Sequence, residues 1–124
     1  MKNISEVAEE FGVTTRTIRY YEEIGLLKPI RNESNRRFYK SADLAKLKLI
    51  MRGKQYGFHL DEIREMVLLF DKDRTGKKQL ERTIEYGKHR INEIENKILE
   101  LQEMKEEMEK LLQLFSEKLN NKGD

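Results

Sequence analysis

From Ile4 to Phe70 the apolar positions of the chain fall into four blocks of helical spacing, broken once by a stretch that alternates instead. The first block, Ile4, Val7, Ala8 and Phe11, marks one face of a short amphipathic helix. Asn3-Ile4-Ser5-Glu6 precedes it as a capping box, in which the Asn side chain accepts from the third helical amide and the Glu reaches back. Gly12 stops that helix, and Thr14 is a good N-cap for a second one, Thr15 to Ile24, ended by Gly25. Two short helices joined by a tight Gly-containing turn are a helix-turn-helix signature.

Pro29 breaks further helix. Ile30-Arg31 and Arg37-Phe38-Tyr39 then flank the turn cluster Asn32-Glu33-Ser34-Asn35, which predicts a β-hairpin, or wing, with Asn35 left-handed. Ser41 is expected to cap a third helix carrying Leu44, Leu47, Ile50 and Met51, and after Gly57 a fourth carries Leu60, Ile63, Met66, Val67 and Phe70. His59 stands where a Ser, Thr or Asp cap is commoner and reads as a turn residue.

The polar run Asp71 to Gly76 marks a boundary, beyond which the pattern changes period. Leu80, Ile84, Gly87, Ile91, Ile94, Ile98, Leu101, Lys105, Met108, Leu112, Phe115 and Leu119 are separated by alternating steps of four and three. Glu, Lys, Asn and Gln dominate the remaining positions, so this is the narrow seam of a coiled coil rather than the wider stripe of a helix lying on a core. A helix from about Lys77 to about Leu119 would be roughly 65 Å long at ~1.5 Å per residue. Such a seam calls for a partner from outside, most simply a second copy. Gly87 and Lys105 are its weak points, the one lacking a knob and the other carrying a charge to water. The expected organisation is a head over residues 1–75, a dimerisation helix over 76–119 and a frayed polar tail over 120–124.

Composition supports that division. Only 37% of residues are hydrophobic while 39% are charged, which suits a small core plus a solvated helix better than one large sphere. The absence of cysteine removes disulfides, thiolate metal sites and iron-sulfur clusters, and no cofactor is expected. No stretch approaches the ~18 apolar residues of a membrane span, so a cytoplasmic location is expected. The net charge of +2 conceals an asymmetry. Between Val13 and Lys54 the basic residues are Arg16, Arg19, Lys28, Arg31, Arg36, Arg37, Lys40, Lys46, Lys48, Arg52 and Lys54, against Glu22, Glu23, Glu33 and Asp43. A polyanion-binding part joined to a part with another task gives that footprint.

On the second helix Arg16, Arg19, Tyr20 and Glu23 share one face, with Thr15 beside them, while Ile18 and Tyr21 point toward the core. Arginine bonds bidentately to guanine or clamps a phosphate, and tyrosine donates to phosphate oxygens, so this face suits a major groove. The wing adds Arg36, Arg37, Tyr39 and Lys40. An enzyme is disfavoured: no Gly-rich phosphate loop occurs and the two His lie far apart. The other rival is an interaction adaptor that uses the coiled coil without DNA, against which the joint presence of Arg16, Arg19, Arg37 and Tyr39 argues.

The run Thr15-Arg16-Thr17-Ile18-Arg19-Tyr20-Tyr21-Glu22, then Gly25-Leu26-Leu27 and Pro29, then Ser34-Asn35-Arg36-Arg37-Phe38-Tyr39, resembles the pattern of the MerR family of transcription regulators. The resemblance implies a mainly α fold, a winged helix-turn-helix head and a long C-terminal helix that pairs antiparallel in a homodimer. It implies further that Arg16 reaches base edges and that Arg19, Tyr20, Arg37, Tyr39 and Lys54 hold phosphates. Leu80, Ile84, Ile91, Ile94, Ile98, Leu101, Met108, Leu112 and Phe115 would form the dimer seam. The implied partner is a near-palindromic promoter operator in double-stranded DNA, which the dimer distorts, with RNA polymerase a further candidate. Asn35 departs from the glycine usual in that wing turn, and it tolerates positive φ. Cysteine-based sensing, common among relatives, has no residues here. A small-molecule pocket between the head and the partner's helix, lined by Met66, Phe70, Tyr86 and His89, stays open as an alternative to Tyr86 and His89 packing at the dimer interface.

Overall fold

The computed structural model describes all residues except Arg74 and Asp124, and it divides into two compact units, Met1–Tyr86 and Gly87–Asp124. The chain runs β1 (Lys2–Asn3), α1 (Ile4–Phe11), α2 (Thr15–Glu23), β2 (Ile30–Arg31), β3 (Arg37–Tyr39), α3 (Ser41–Gln55), α4 (Leu60–Lys72) and α5 (Lys77–Lys122). No described helix is long and apolar enough to cross a membrane.

In the first unit the local signals set the element ends. Asn3 Oδ1 accepts from the Glu6 amide at 2.9 Å and Glu6 Oε1 accepts from the Asn3 amide at 3.1 Å, closing the capping box of α1. Gly12 ends α1 in the left-handed region at φ 65°, where a side chain would be strained. Thr14 Oγ1 accepts from the Thr17 amide at 3.1 Å to start α2. The hairpin forms as the alternation predicts, with Ile30 opposite Phe38 and Arg31 opposite Arg37, and Asn35 turns at φ 62°. Asn32 Oδ1 helps hold the turn by accepting from the Arg36 amide at 2.9 Å.

Three expectations change. Strand β1 was not foreseen: Lys2 pairs with Tyr39 and Asn3 with Phe38, so β3 is the middle strand of an antiparallel sheet ordered β1-β3-β2. Ser41 is the first residue of α3 rather than its cap; Lys40 holds the cap position, and its amide donates to Asp43 Oδ2 at 3.2 Å. Helix α5 continues to Lys122 instead of fraying after Leu119, and Asp124 of the expected tail lies outside the described residues.

The core gathers one face from each element: Val7 and Ala8 from α1, Ile18 and Tyr21 from α2, Tyr39 from β3, Leu47 and Ile50 from α3, and Ile63, Met66 and Val67 from α4. Leu26 and Leu27 join them because their amides both bond to the Tyr21 carbonyl, turning the chain inward after α2. Helices α3 and α4 meet closely at Gly53, where an added Cβ would sit 2.8 Å from Ile63 Cγ1. Two charged groups are buried and satisfied. Asp43 accepts from the Lys28 and Lys40 amides, and Lys46 Nζ lies 2.6 Å from Asp71 Oδ1.

The opening turns of α5 belong to this same unit. Arg82 Nε donates to Glu65 Oε1 of α4 at 2.6 Å, the Tyr86 hydroxyl donates to Glu65 Oε2, and Thr83 Oγ1 lies 3.3 Å from Met66 Sδ. The second unit is the rest of α5, along which Ile91, Ile98, Leu101, Met108, Leu112 and Phe115 all stand exposed.

Candidate nucleic-acid interface

Helix α2 is amphipathic in the sense required. Ile18 and Tyr21 are buried, while Arg16, Arg19, Tyr20 and Glu23 are exposed on the other side and Thr15 is half-buried near the start. Tyr20 retains 46% of its surface although its ring lies 5.7 Å, centroid to centroid, from that of buried Tyr21. Lys54, near the end of α3, reaches back to this helix: its Nζ lies 5.8 Å from the centre of the Tyr21 ring. Two helices separate in sequence, α2 and α3, thus bring basic side chains together.

The wing contributes differently from what its sequence suggests. Arg36 is exposed. Arg37 is half-buried, and its Nε donates to Glu22 Oε2 at 2.9 Å. Tyr39 corrects the sequence reading, because its side chain is 1% exposed and its hydroxyl is spent on Glu22 Oε1, so it holds no phosphate. Burial first, and then that hydrogen bond, push its phenol far above the ordinary tyrosine range, which keeps it a neutral donor. Its aromatic body belongs to the core, and only the sheet register reveals this: Tyr39 faces inward opposite Lys2.

Glu22 is the residue that sequence reasoning left without a role. Its carboxylate accepts from one wing residue on each oxygen and so ties β3 to α2. The only signal for it in the sequence is an acid inside a basic run, next to buried Tyr21 rather than on the exposed face. Arg31 was likewise passed over, and it braces the wing tip, with Nη1 donating to the Asn35 carbonyl at 3.2 Å. The cleft between this tip and the start of α1 is lined by Asn3, Ile4, Ser5, Asn35, Arg36 and Arg37.

Of the residues named for a pocket between the head and the partner's helix, Met66, Phe70 and Tyr86 lie in the first unit and His89 in the second. Met66 is fully buried in the core, and the Tyr86 hydroxyl is committed to Glu65 while its ring packs against the head. Tyr86 thus ties the start of α5 to α4. Phe70 borders a shallow groove with Ala45, Lys48, Leu49, Arg52 and Gln79. His89 lies in the second unit, 3.5 Å from Glu93. Among the described residues no cluster of His, Cys, Asp and Glu is arranged to hold a metal ion.

Comparison with known proteins agrees with this geometry. Residues 2–68 match the family model described as MerR HTH family regulatory protein, and residues 44–111 match the one described as MerR, DNA binding. The HTH-type transcriptional regulator HmrR of Rhizobium leguminosarum bv. viciae is 36% identical over 111 residues, covering 89% of this chain and 83% of the relative. Among solved structures, the lead(II) complex of the transcription regulator PbrR691 from Ralstonia metallidurans aligns with a TM-score of 0.65 at 30% identity, over 87% of this chain and 83% of that one. HiNmlR, a MerR family regulator lacking the sensor domain and bound to promoter DNA, aligns with a TM-score of 0.56 at 26% identity, over 78% and 77% of the two chains.

Proposed function

The chain belongs to the MerR family of DNA-binding transcription regulators, and from that premise we propose that it works as a homodimer on a near-palindromic promoter operator, whose duplex it distorts. The observation that carries this reading is the exposed face of α2, where Arg16, Arg19 and Tyr20 stand free of the core beside a wing that Glu22 ties to the same helix. Arg16, in the first turn of α2 beside Thr15, reads base edges in the major groove, and Arg19, Tyr20, Lys54 and Arg36 grip phosphates. Arg37, with Nε held by Glu22, offers the remaining nitrogens of its guanidinium to the backbone flanking the groove.

A two-fold dimer reads the same half-site twice, which is why the operator is near-palindromic. The exposed seam of α5 supplies the pairing surface, and the two helices run antiparallel, as the family resemblance implies. Two coupled heads transmit strain into the DNA between their half-sites, so the sequence of the spacer matters even where no side chain touches it. The promoter-bound state of HiNmlR supports such a target, and RNA polymerase is the natural second partner of a protein seated there. The site of action is the cytoplasm. Footprinting on the DNA upstream of its own gene tests the reading: a protected, two-fold symmetric site is expected, and equal affinity for that fragment and random duplex would overturn it.

A further inference from the structure

Given the dimer reading, the two copies of α5 meet along the exposed seam, and its irregular positions restrict how. Two members of the exposed seam are unexplained by the chain that carries them. A Cβ on Gly87 would meet nothing within 4 Å, so no neighbour within the chain requires the space, although glycine weakens a helix. Lys105 interrupts an apolar stripe, and its ammonium turns aside to Glu109 Oε1 at 3.2 Å. In a parallel, in-register pair each would face itself, leaving one layer doubly empty and another doubly charged. Antiparallel pairing separates them.

Because the seam steps alternate between four and three, the layers stay aligned only in registers that differ by whole heptads. With the two-fold axis between Ile94 and Ile98, Glu95 and Lys97 each lie beside their own counterparts, two like-charge contacts. With the axis between Ile91 and Ile94, Arg90 lies beside the partner's Lys97, and Met108 to Leu119 lose their layers. With the axis between Leu101 and Lys105, Glu95 lies beside the partner's Glu109. An axis between Ile98 and Leu101 avoids all of these. It sets Lys88, which has no acidic partner among the described residues of its own chain, beside the partner's Glu109. Gly87 then gives its room to the partner's Leu112, and Lys105 lays its methylene stem on the partner's Ile94 with its head turned outward. Continued outward, the same register pairs Phe115 with the partner's Ile84 and Leu119 with the partner's Leu80, so that no seam position is left over.

We propose that the antiparallel pair adopts the register with its two-fold axis between Ile98 and Leu101, fixed by the Gly87 to Leu112 fit and the Lys88 to Glu109 ion pair.

The chain has no cysteine, so single introduced cysteines report pairs directly. The full-length variants K88C, E95C, K97C, I94C and E109C are prepared, mixed in pairs through subunit exchange and treated with a short bismaleimide. K88C with E109C is expected to cross-link at least tenfold faster than either variant alone, K97C alone, or K88C with E95C. Self-linking of K97C at the leading rate would move the axis between Ile94 and Ile98, leading K88C to E95C linkage would move it between Ile91 and Ile94, and leading self-linking of I94C would mark a parallel pair. Each of these overturns the register while leaving a dimer. Sedimentation of the unmodified protein as a monomer at micromolar concentration would overturn the dimer reading itself.

Discussion

The Tyr39 hydroxyl donates to Glu22 Oε1, so β3, the middle strand of the sheet, is fastened to the helix that carries Arg16 and Arg19. The same carboxylate holds Arg37 Nε through its other oxygen. One acidic residue therefore couples a buried aromatic and a half-buried cation across two elements.

That contact sets an alkaline limit on stability. Tyr39 titrates higher in the folded chain than in the unfolded one, chiefly because it is buried. The resulting stability is complete below the unfolded value of about 10 and is lost above it, at up to ~1.4 kcal/mol per pH unit. Urea unfolding should thus show constant stability through neutral pH and a decline past pH ~10. Tyr39→Phe should remove about 1 kcal/mol at neutral pH and shrink the alkaline decline, part of which remains because Tyr86 is shifted the same way by its bond to Glu65. An unchanged alkaline decline in Tyr39→Phe would contradict this account.

An acid limit arises where α4 meets the start of α5. The Tyr86 hydroxyl first, and then Arg82, hold the Glu65 carboxyl below its ordinary 4.5. Its contribution is present above that value and disappears as pH falls through the lower, folded one. Asp73 is displaced in the same direction by the Lys78 amide and by Thr75, and adds to the effect. Thermal melts from pH 6 to pH 2 should show Glu65→Gln less stable than the parent at pH 6 and the two converging at the acid end. Parallel curves would be inconsistent with the shift.

For DNA, Arg16→Ala is expected to lose ~1 to 3 kcal/mol on the operator and little on random duplex, compressing the specificity ratio. Arg36→Ala, on the exposed wing tip, should weaken both alike and reduce the slope of log affinity against log salt by about 1. Fluorescence anisotropy titrations at several salt concentrations read both effects, and interchange of the two patterns would reassign the roles.

Gly53→Ala tests the α3 and α4 packing. The new methyl would lie 2.8 Å from Ile63 Cγ1 and 3.0 Å from Cδ1, so the Ile63 side chain or the helix that carries it must shift. A loss of about 1 to 3 kcal/mol is expected on urea denaturation. Pairing it with Ile63→Val, which thins the obstructing side chain, should recover part of that loss, and a double variant no better than the sum of its parts would argue for another cause.

The buried lysine offers an asymmetric test. Lys46 is 5% exposed whereas its partner Asp71 is 39% exposed. Asp71→Ala strands a buried ammonium, whereas Lys46→Met leaves an exposed carboxylate that water can serve. Asp71→Ala should therefore melt lower than Lys46→Met, and the reverse order would show that the pair is not what accommodates Lys46.

The local rules made most of the head legible. The capping box at Asn3, the Thr14 cap and the left-handed Asn35 depend on neighbours a few residues away, and each appears where the sequence places it. What escaped was long-range. Strand β1 is two residues long, too short for any period, and exists only because β3 offers an edge. Tyr39 was assigned to DNA because an aromatic among arginines reads that way, yet strand alternation turns it inward, and Glu22, seventeen positions away, satisfies its hydroxyl. Lys40 displaced Ser41 as cap because Asp43, fixed from both sides by backbone amides, fastens the Lys40 amide.

The short pairing of Lys2 and Asn3 with Tyr39 and Phe38 has a practical corollary. Any fusion, affinity handle or uncleaved leader joined at Met1 would emerge at the foot of the hairpin, near a cleft that Arg36 and Arg37 line. Laboratory preparations intended for operator titration should therefore carry their handles at the opposite terminus.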